Sequence, residues 1–350
     1  MKLFSSFRKK TACGLDVGHN WAKVVRLLPA RNGAVLDRAG RLAWSRTEKD
    51  KSEQMSSKLK TFWSSLNLKD RTVITSLAGH AVIIKRVDLP AVKPKELDST
   101  IQKQAKQHIP FDIDDVYLDY QVMGAGSADT TKNVVLVASK KKVVQELQEL
   151  FDKANLGASI LDVDGFALSN CFEFNYPERK DKQTYLLDVG AVHSTFCVYA
   201  DQQPIFIRDA GFGGQQLTDH LCSVLDKKPK EVEQLKIQGP AGLNPDEQAI
   251  YLKESEQIFR SWGQEIQRLI NFYMNSLNAP KPANMLFLSG GGSLCFGLNK
   301  SLSSQMDLEV DFLDPWRQVS FEDSKFESKY LQQTGPQFAI ATGLALRTII

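Results

Sequence analysis

Leu-Asp-Val-Gly occurs twice in the chain, at Leu15 to Gly18 and at Leu187 to Gly190. Each copy closes an apolar run, so each reads as a strand that delivers an aspartate and then a glycine to its tip. A glycine there lets the backbone turn tightly and point successive N–H groups at an anion. The aspartate cannot hold a phosphate directly, because like charges repel. It can hold Mg²⁺ through water, and the ion then meets the phosphates. Asp16 and Asp188 are therefore candidate magnesium ligands, and Gly18 and Gly190 candidate phosphate-loop glycines. Lys23, seven residues after Asp16, adds a cation within reach of the same anion. For a single copy, ordinary turn chemistry would be the better explanation. Two copies in matching contexts reverse that preference.

The contexts do match. Lys23 to Leu28, the turn-rich Pro29-Ala30-Arg31-Asn32-Gly33 and Ala34-Val35-Leu36 read as a hairpin after the first copy. Thr195 to Tyr199, a turn through Asp201-Gln202-Gln203-Pro204 and Ile205-Phe206-Ile207 repeat that order after the second. Asp16 and Asp188 lie 172 positions apart, far beyond a solenoid period, which implies one duplicated lobe. A third feature is LFLSGGGSLCFGL, where Leu286-Phe287-Leu288 runs into Gly290, Gly291 and Gly292. Three glycines after a strand let a flat group such as adenine lie on the backbone, before a helix opens near Leu298. A plain strand-to-helix turn would need only one or two of them.

The elements that must position these loops alternate between strand and helix, the pattern of an α/β protein. Lys95 to Ile109 places Leu97, Ile101, Ala105 and His108 on one stripe, ended by Pro110. Lys140 to Ala154 does the same with Val143, Val144, Leu147, Leu150 and Phe151. The longest helix is expected from about Ser255 to Leu277, stopped by Asn278-Ala279-Pro280, and all three stripes read as core faces. Gln238 to Pro245 reads as a surface loop.

Composition narrows the function classes. At 350 residues the chain exceeds what one core usually supports, so two lobes are expected. A net charge of +3 with 24% charged residues argues against a dedicated nucleic-acid binder. No apolar run approaches the roughly 18 to 20 residues of a membrane helix, and MKLFSSFRKK lacks the features of a signal peptide, so a cytoplasmic protein is expected. Phe4, Phe7, Lys2, Arg8, Lys9 and Lys10 could touch an anionic membrane, but a disordered tail is the favoured reading. Cys13, Cys171, Cys197, Cys222 and Cys295 form no CxxC pair and read as reduced core thiols. The five histidines make no HExxH or HxH pattern of a zinc site.

Phosphate loop, second phosphate loop and glycine-rich adenosine loop, in that order, resemble the superfamily of actin, sugar kinases and Hsp70. Within it the chain is similar to the PilM family of type IV pilus assembly proteins, itself similar to the division protein FtsA. The stretches that carry the resemblance are Val87 to Val122 (VDLPAVKPKELDSTIQKQAKQHIPFDIDDVYLDYQV), Leu150 to Asn170 (LFDKANLGASILDVDGFALSN), Gly213 to Leu221 (GGQQLTDHL) and the terminal GPQFAIATGLALR.

The resemblance implies a two-lobed, ribonuclease H-like fold with an FtsA-like inserted subdomain. Its expected organisation is a tail over 1–11, a first lobe over 12–75 and 158–184, an insertion over 76–157, a second lobe over 185–330, and a return to the first lobe over 331–350. It places ATP and Mg²⁺ between the lobes. Asp16, Gly18, His19, Asn20 and Lys23 form the first loop, Asp188 and Gly190 the second, Gly213 and Gly214 lie beside the nucleotide, and Gly290 to Gly292 receive the adenosine. Asp164 falls where relatives carry a water-orienting glutamate or glutamine, with a helix N-cap as the alternative role. Relatives place small hydroxyl residues where this chain has His19-Asn20-Trp21, and the second loop has Ala191-Val192-His193; both histidines are expected to pack outward. The resemblance therefore implies ATP binding with weak or absent hydrolysis. It further implies docking of the cytoplasmic N-terminal peptide of PilN, from the PilN–PilO complex, and so a peripheral place at the inner membrane of a bacterium, in twitching motility. It leaves open contacts with pilus motor ATPases and a homo-oligomer. The alternatives are an FtsA-like division protein and a small-molecule kinase of the same superfamily.

Overall fold

The structure is a computed structural model that describes residues 13–31, 33–44, 51–126, 130–276 and 282–349. The tail expected over 1–11 and the helix stop at Asn278-Ala279-Pro280 lie outside the described residues.

In chain order the first half contains β1 (Cys13–Val17), β2 (Trp21–Ala30), β3 (Gly33–Ala43), α1 (Lys51–Ser65), β4 (Thr72–Leu77), β5 (Val82–Pro90), α2 (Pro94–His108), β6 (Val116–Ala125), β7 (Thr131–Lys140), α3 (Lys141–Lys153), β8 (Gly157–Val163) and α4 (Asp164–Asn175). The second half contains β9 (Thr184–Val189), β10 (Ser194–Ala200), β11 (Gln203–Ala210), α5 (Gly214–Leu225), α6 (Pro229–Gln238), α7 (Pro245–Ser276), β12 (Met285–Ser289), α8 (Leu298–Gln305), β13 (Glu309–Phe312), β14 (Val319–Ser320), α9 (Ser328–Thr334) and α10 (Ala339–Leu346).

The strands make two sheets of one design. The first runs β14-β3-β2-β1-β4-β8 and the second β11-β10-β9-β12-β13. In both, the first three strands of the lobe are antiparallel neighbours and the next two add in parallel. β14 extends only the first sheet, so the chain returns to that sheet at Val319.

Strand alternation decides what each face carries. In β1, Cys13 and Leu15 pack into a core with Met55, Leu59 and Trp63 of α1 and Leu150 and Phe151 of α3. Gly14 and Asp16 therefore face the other way, toward α10. In β9, Tyr185, Leu187 and Val189 pack under α5, α7 and α8, while Leu186 joins the core that contains Leu168, Cys171 and Phe172 of α4. Asp188 shares the α4 side. The period of two thus turns both repeated aspartates inward, each toward the helix lining the other side of its sheet.

Those two inner helices pack on each other. All eight residues of α10 are buried, as are seven of the twelve in α4, as expected for helices enclosed on several sides. Their contact is close because Gly343 has no side chain: a Cβ there would sit 1.7 Å from the carbonyl oxygen of Ala167. Gly14 plays the same part between β1 and α10, where a Cβ would sit 2.1 Å from the Ala341 oxygen.

The inserted sheet, β5-β7-β6, is covered on one face by α2 through Leu97, Ile101 and Ala105. His108, expected on that stripe, is exposed; Ile109, one residue past the helix, is buried in its place. The buried positions step by four, Ile101, Ala105 and Ile109, which leaves His108 beside the stripe and not on it. The longest helix begins at Pro245, ten residues earlier than the apolar stripe suggested, and Asp246 and Glu247 in its first turn suit its N-terminus. Gln238 belongs to α6, so the loop read from Gln238 starts one residue later. The second hairpin turns on Asp201 and Gln202 alone, both at positive φ (52° and 60°), and Gln203 and Pro204 already pair with β10. All five cysteines are free, with Cys222 the one half-buried, and burial pushes the Cys13 and Cys197 thiols up to about 12.

Helix propensity alone would make Gly343→Ala stabilising by about 1 kcal/mol. The α4 carbonyl predicts the opposite sign, a loss of about 1–3 kcal/mol from overpacking. A lower urea midpoint for the variant is the expected result, and a raised one would show that α10 is free to move off α4.

Candidate functional site

The two Leu-Asp-Val-Gly turns are closed by the same bond. Gly18 N–H donates to the Trp21 carbonyl at 3.0 Å, and Gly190 N–H to the His193 carbonyl at 3.1 Å. The strands that follow pair in the same register, Asp16 opposite Lys23 and Asp188 opposite Thr195. At the lysine's position the second lobe has a threonine, and this is where the duplicates differ in charge.

Lys23 Nζ contacts Asp16 Oδ2 at 2.6 Å. Burial pulls its ammonium down, but the charges of Asp16, Asp188 and Asp164 outweigh that and hold its pKa above the ordinary value. Asp164 accepts a hydrogen bond from Ser76 Oγ at 2.5 Å. Burial, and then the Asp16 charge, raise its carboxyl well above the usual range. It opens α4 without capping it: the helix has no side-chain cap bond, and the carboxylate is spent on Ser76 across the sheet. Asp188 accepts from Ser289 Oγ at 2.9 Å, and burial, only partly offset by Lys23, pushes it up to about 6. The structure thus brings together Asp16, Lys23, Asp164 and Asp188 from both lobes.

The remaining expected residues frame this cluster. Asn20 Nδ2 donates to Gln215 Oε1 at 3.3 Å, a bond from the first loop to the start of α5 in the other lobe. His19 is half-buried and His193 exposed. Trp21 is partly exposed with the Arg41 guanidinium 4.9 Å from its ring centre. Gly213 is extended, and Gly214 N–H donates to the Gly190 carbonyl at 2.9 Å. That bond fastens α5 to the second loop, so the Gly214 N–H points at protein and only its bare Cα side faces the third loop. Gly290 has φ +82° and donates to the Pro336 carbonyl, while a Cβ on Gly292 would sit 2.6 Å from Val189. The glycine run therefore folds flat against the second loop.

Sequence reasoning missed Lys236. Its ammonium is buried and donates to the Gly214 carbonyl (2.8 Å), Thr218 Oγ1 (2.7 Å) and Glu233 Oε1 (2.9 Å). It braces α5 from beneath the second and third loops. The signal available was Glu233-x-x-Lys236 on α6, a spacing that also describes any solvated helix pair.

Among the described residues no group of three or more metal-binding side chains is close enough to hold an ion by itself. Two inward aspartates on facing turns suit Mg²⁺ instead, which keeps most of its waters and takes the rest of its ligands from phosphates.

A second concavity, of about 400 Å³, lies between the inserted sheet and the first lobe. β6, β7, α3 and β8 form its walls, with Leu118, Val137, Leu147 and Leu161 among its apolar lining. β6 and β8 are both edge strands.

Two matching lobes around paired inner helices, with a loop from each meeting at one cluster, define an actin-like fold. Residues 14–349 match the family model described as type IV pilus assembly protein PilM, and the chain belongs to that family. The structure is similar to one titled PilM-PilN type IV pilus biogenesis complex, with a TM-score of 0.85 and 24% identity over 98% of this chain and 99% of that one. It is also similar to the ethanolamine utilization protein EutJ from Carboxydothermus hydrogenoformans, with a TM-score of 0.56 and 10% identity over 98% and 91% of the two chains. It is thus an actin-like protein of type IV pilus assembly, and the family match sets aside the division-protein and kinase alternatives. Among the described residues no helix is long and apolar enough to cross a membrane.

The raised carboxyl of Asp188 fixes a sign. Its folded pKa of about 6 lies above the ordinary 3.8, so its contribution favours folding below pH 3.8 and is lost as pH rises through 6. Asp188→Asn without nucleotide is expected to be more stable than the parent at pH 7.5, by about 1–3 kcal/mol, and to lose that advantage near pH 4. Urea midpoints at the two pH values test this, and a variant less stable at pH 7.5 contradicts it.

Proposed function

We propose that the chain binds Mg-ATP between its lobes and docks the cytoplasmic N-terminal segment of a PilN protein in the groove beside the inserted sheet. The observation that carries the first part is the pair of identically closed turns, each presenting an inward aspartate and one of them a lysine. In this reading the backbone of the Gly18 and Gly190 turns and the Lys23 ammonium hold the phosphates. Asp16 and Asp188 hold the metal through water, and the ion supplies positive charge that offsets both carboxylates and polyphosphate. Gly290 to Gly292 receive the base. Lys236, with Glu233 and Thr218, sets the floor on which α5 and the third loop meet, beside the place left for the ribose.

Asp164 is held by Ser76 in a buried position and is one methylene shorter than glutamate. We assign it to shaping the γ-phosphate end of the cleft, and assign binding rather than turnover to the site. Lys23 faces three carboxylates when nucleotide is absent, so phosphate and metal must arrive together to leave the charge balanced.

The second part is supported by the groove's form and by the similarity of the structure to a PilM-PilN type IV pilus biogenesis complex. An apolar trough flanked by edge strands suits an extended apolar segment, which can add backbone hydrogen bonds to an open edge. Association with the membrane would then come through that partner.

Calorimetric titration with Mg-ATP tests the cleft. Lys23→Ala is expected to weaken binding roughly 10- to 100-fold, the range for loss of a charge-assisted contact to phosphate. Asp16→Ala should weaken it in the presence of Mg²⁺. Unchanged affinity in both variants would mean that the first loop is not the phosphate site.

A further inference from the structure

Across the first sheet Asp16, Lys23 and Arg41 stand in one row. Asp16 on β1 is paired with Lys23 on β2, and Lys23 in turn with Arg41 on β3. Residues directly opposite one another share a face of the sheet, so Arg41 lies on the inner face with the carboxylate and the ammonium. The other arginines of β2 and β3, Arg26 and Arg38, both meet the carboxylate of Asp37. Arg41 is half-buried and has no such counter-charge among the described residues; what it touches is neutral. Its Nη1 donates to Gln337 Oε1 at 2.7 Å, and its guanidinium carbon lies 4.9 Å from the ring centre of Trp21 and 5.8 Å from that of Tyr330. Both rings are near enough to attract a cation, so the group is held in place while the rest of its planar fork has no protein acceptor among the described residues.

Those contacts also fix where along the cleft Arg41 stands. Trp21 supplies the carbonyl that closes the first loop on Gly18, and Pro336, next to Gln337, supplies the carbonyl that takes the N–H of Gly290 in the third loop. Arg41 therefore touches the loop assigned to the phosphates on one side and the backing of the loop assigned to the base on the other. The part of a nucleotide that lies between those two is the phosphate joined to the ribose. We propose that Arg41 is a further nucleotide-binding residue, its guanidinium donating to oxygens of that phosphate while Trp21 and Tyr330 hold it flat. This rests on the cleft reading above and adds to it a contact on the phosphate nearest the ribose. Charge favours the assignment. Lys23 already faces Asp16, Asp164 and Asp188 and has little charge to spare for an arriving phosphate, whereas Arg41 has no resident carboxylate to give up. A planar guanidinium also presents paired N–H groups to two oxygens at once, which an ammonium does not.

The test is displacement of a fluorescent ADP analogue from the full chain, with Mg²⁺ present, by ATP, ADP, AMP and adenosine. The three nucleotides carry the phosphate in question and adenosine lacks it. Arg41→Gln, which removes the charge and keeps most of the stem, is expected to weaken ATP, ADP and AMP by a similar factor, roughly 10- to 100-fold, and to leave adenosine unchanged. Arg41→Lys should recover part of the loss, since it restores the charge without the fork. Unchanged affinity of Arg41→Gln for ADP and AMP overturns the inference. So does an equal loss for adenosine, which would make Arg41 a packing residue of the loops. Arg41→Ala is measured alongside, so that misfolding of one neutral variant leaves the other to decide. Wild type that binds no nucleotide overturns the cleft reading and the inference together, whereas nucleotide binding that Lys23→Ala weakens and Arg41→Gln does not overturns the inference alone.

Discussion

One ammonium group holds the centre of this protein in electrical balance. Asp16, Asp164 and Asp188 reach the same space from three elements, and the cation that faces them is Lys23. Buried charges of one sign are tolerated only when paired or neutralised, and the structure does both, with a close ion pair at Asp16 and raised carboxyls at Asp164 and Asp188. The arrangement depends on duplication with one change. The two lobes share the Leu-Asp-Val-Gly residues and the register of the turn, and opposite the aspartate one has lysine and the other threonine. Without Lys23 the cluster would consist of carboxylates alone.

Everything behind the cluster serves to bring its members together. The pleat of β1 and β9 turns the aspartates inward, and α10 and α4 close the space behind them. The glycine contact at Ala167 lets those helices come close enough for the loops to meet. Ser76 and Ser289 then orient Asp164 and Asp188 from the neighbouring strands. The chemistry proposed for the cleft is thus a property of packing several residues removed from it.

Much of this was legible in the sequence because it is local or periodic. The repeated turns, the hairpins after them and the stripes on α2 and α3 all follow from spacing. What was not legible depends on distant partners. Lys236 sits on α6 in PKEVEQLKIQ, which reads as a solvated helix, and only the docking of α5 and the third loop above it makes it interior. His108 has core spacing, yet the buried stripe steps by four to Ile109 and leaves it outside. Asp164 was open to a capping role, but the cap position falls on Val163 and its carboxylate accepts from Ser76 on another strand. The groove is invisible in any single segment, because an edge strand is defined by the neighbour it lacks.

That last feature has a bearing on how the protein survives in a crowded solution. β6 and β8 each present a row of backbone donors and acceptors, and such rows invite pairing with any passing strand, including the same strand of another copy. Bulges interrupt both, between Val122 and Gly124 in β6 and at Ser159 in β8. On β6 the exposed carboxylate of Asp119 lies beside that edge. Two molecules meeting at the β6 edge would bring Asp119 near its own copy, a like-charge contact that disfavours such pairing.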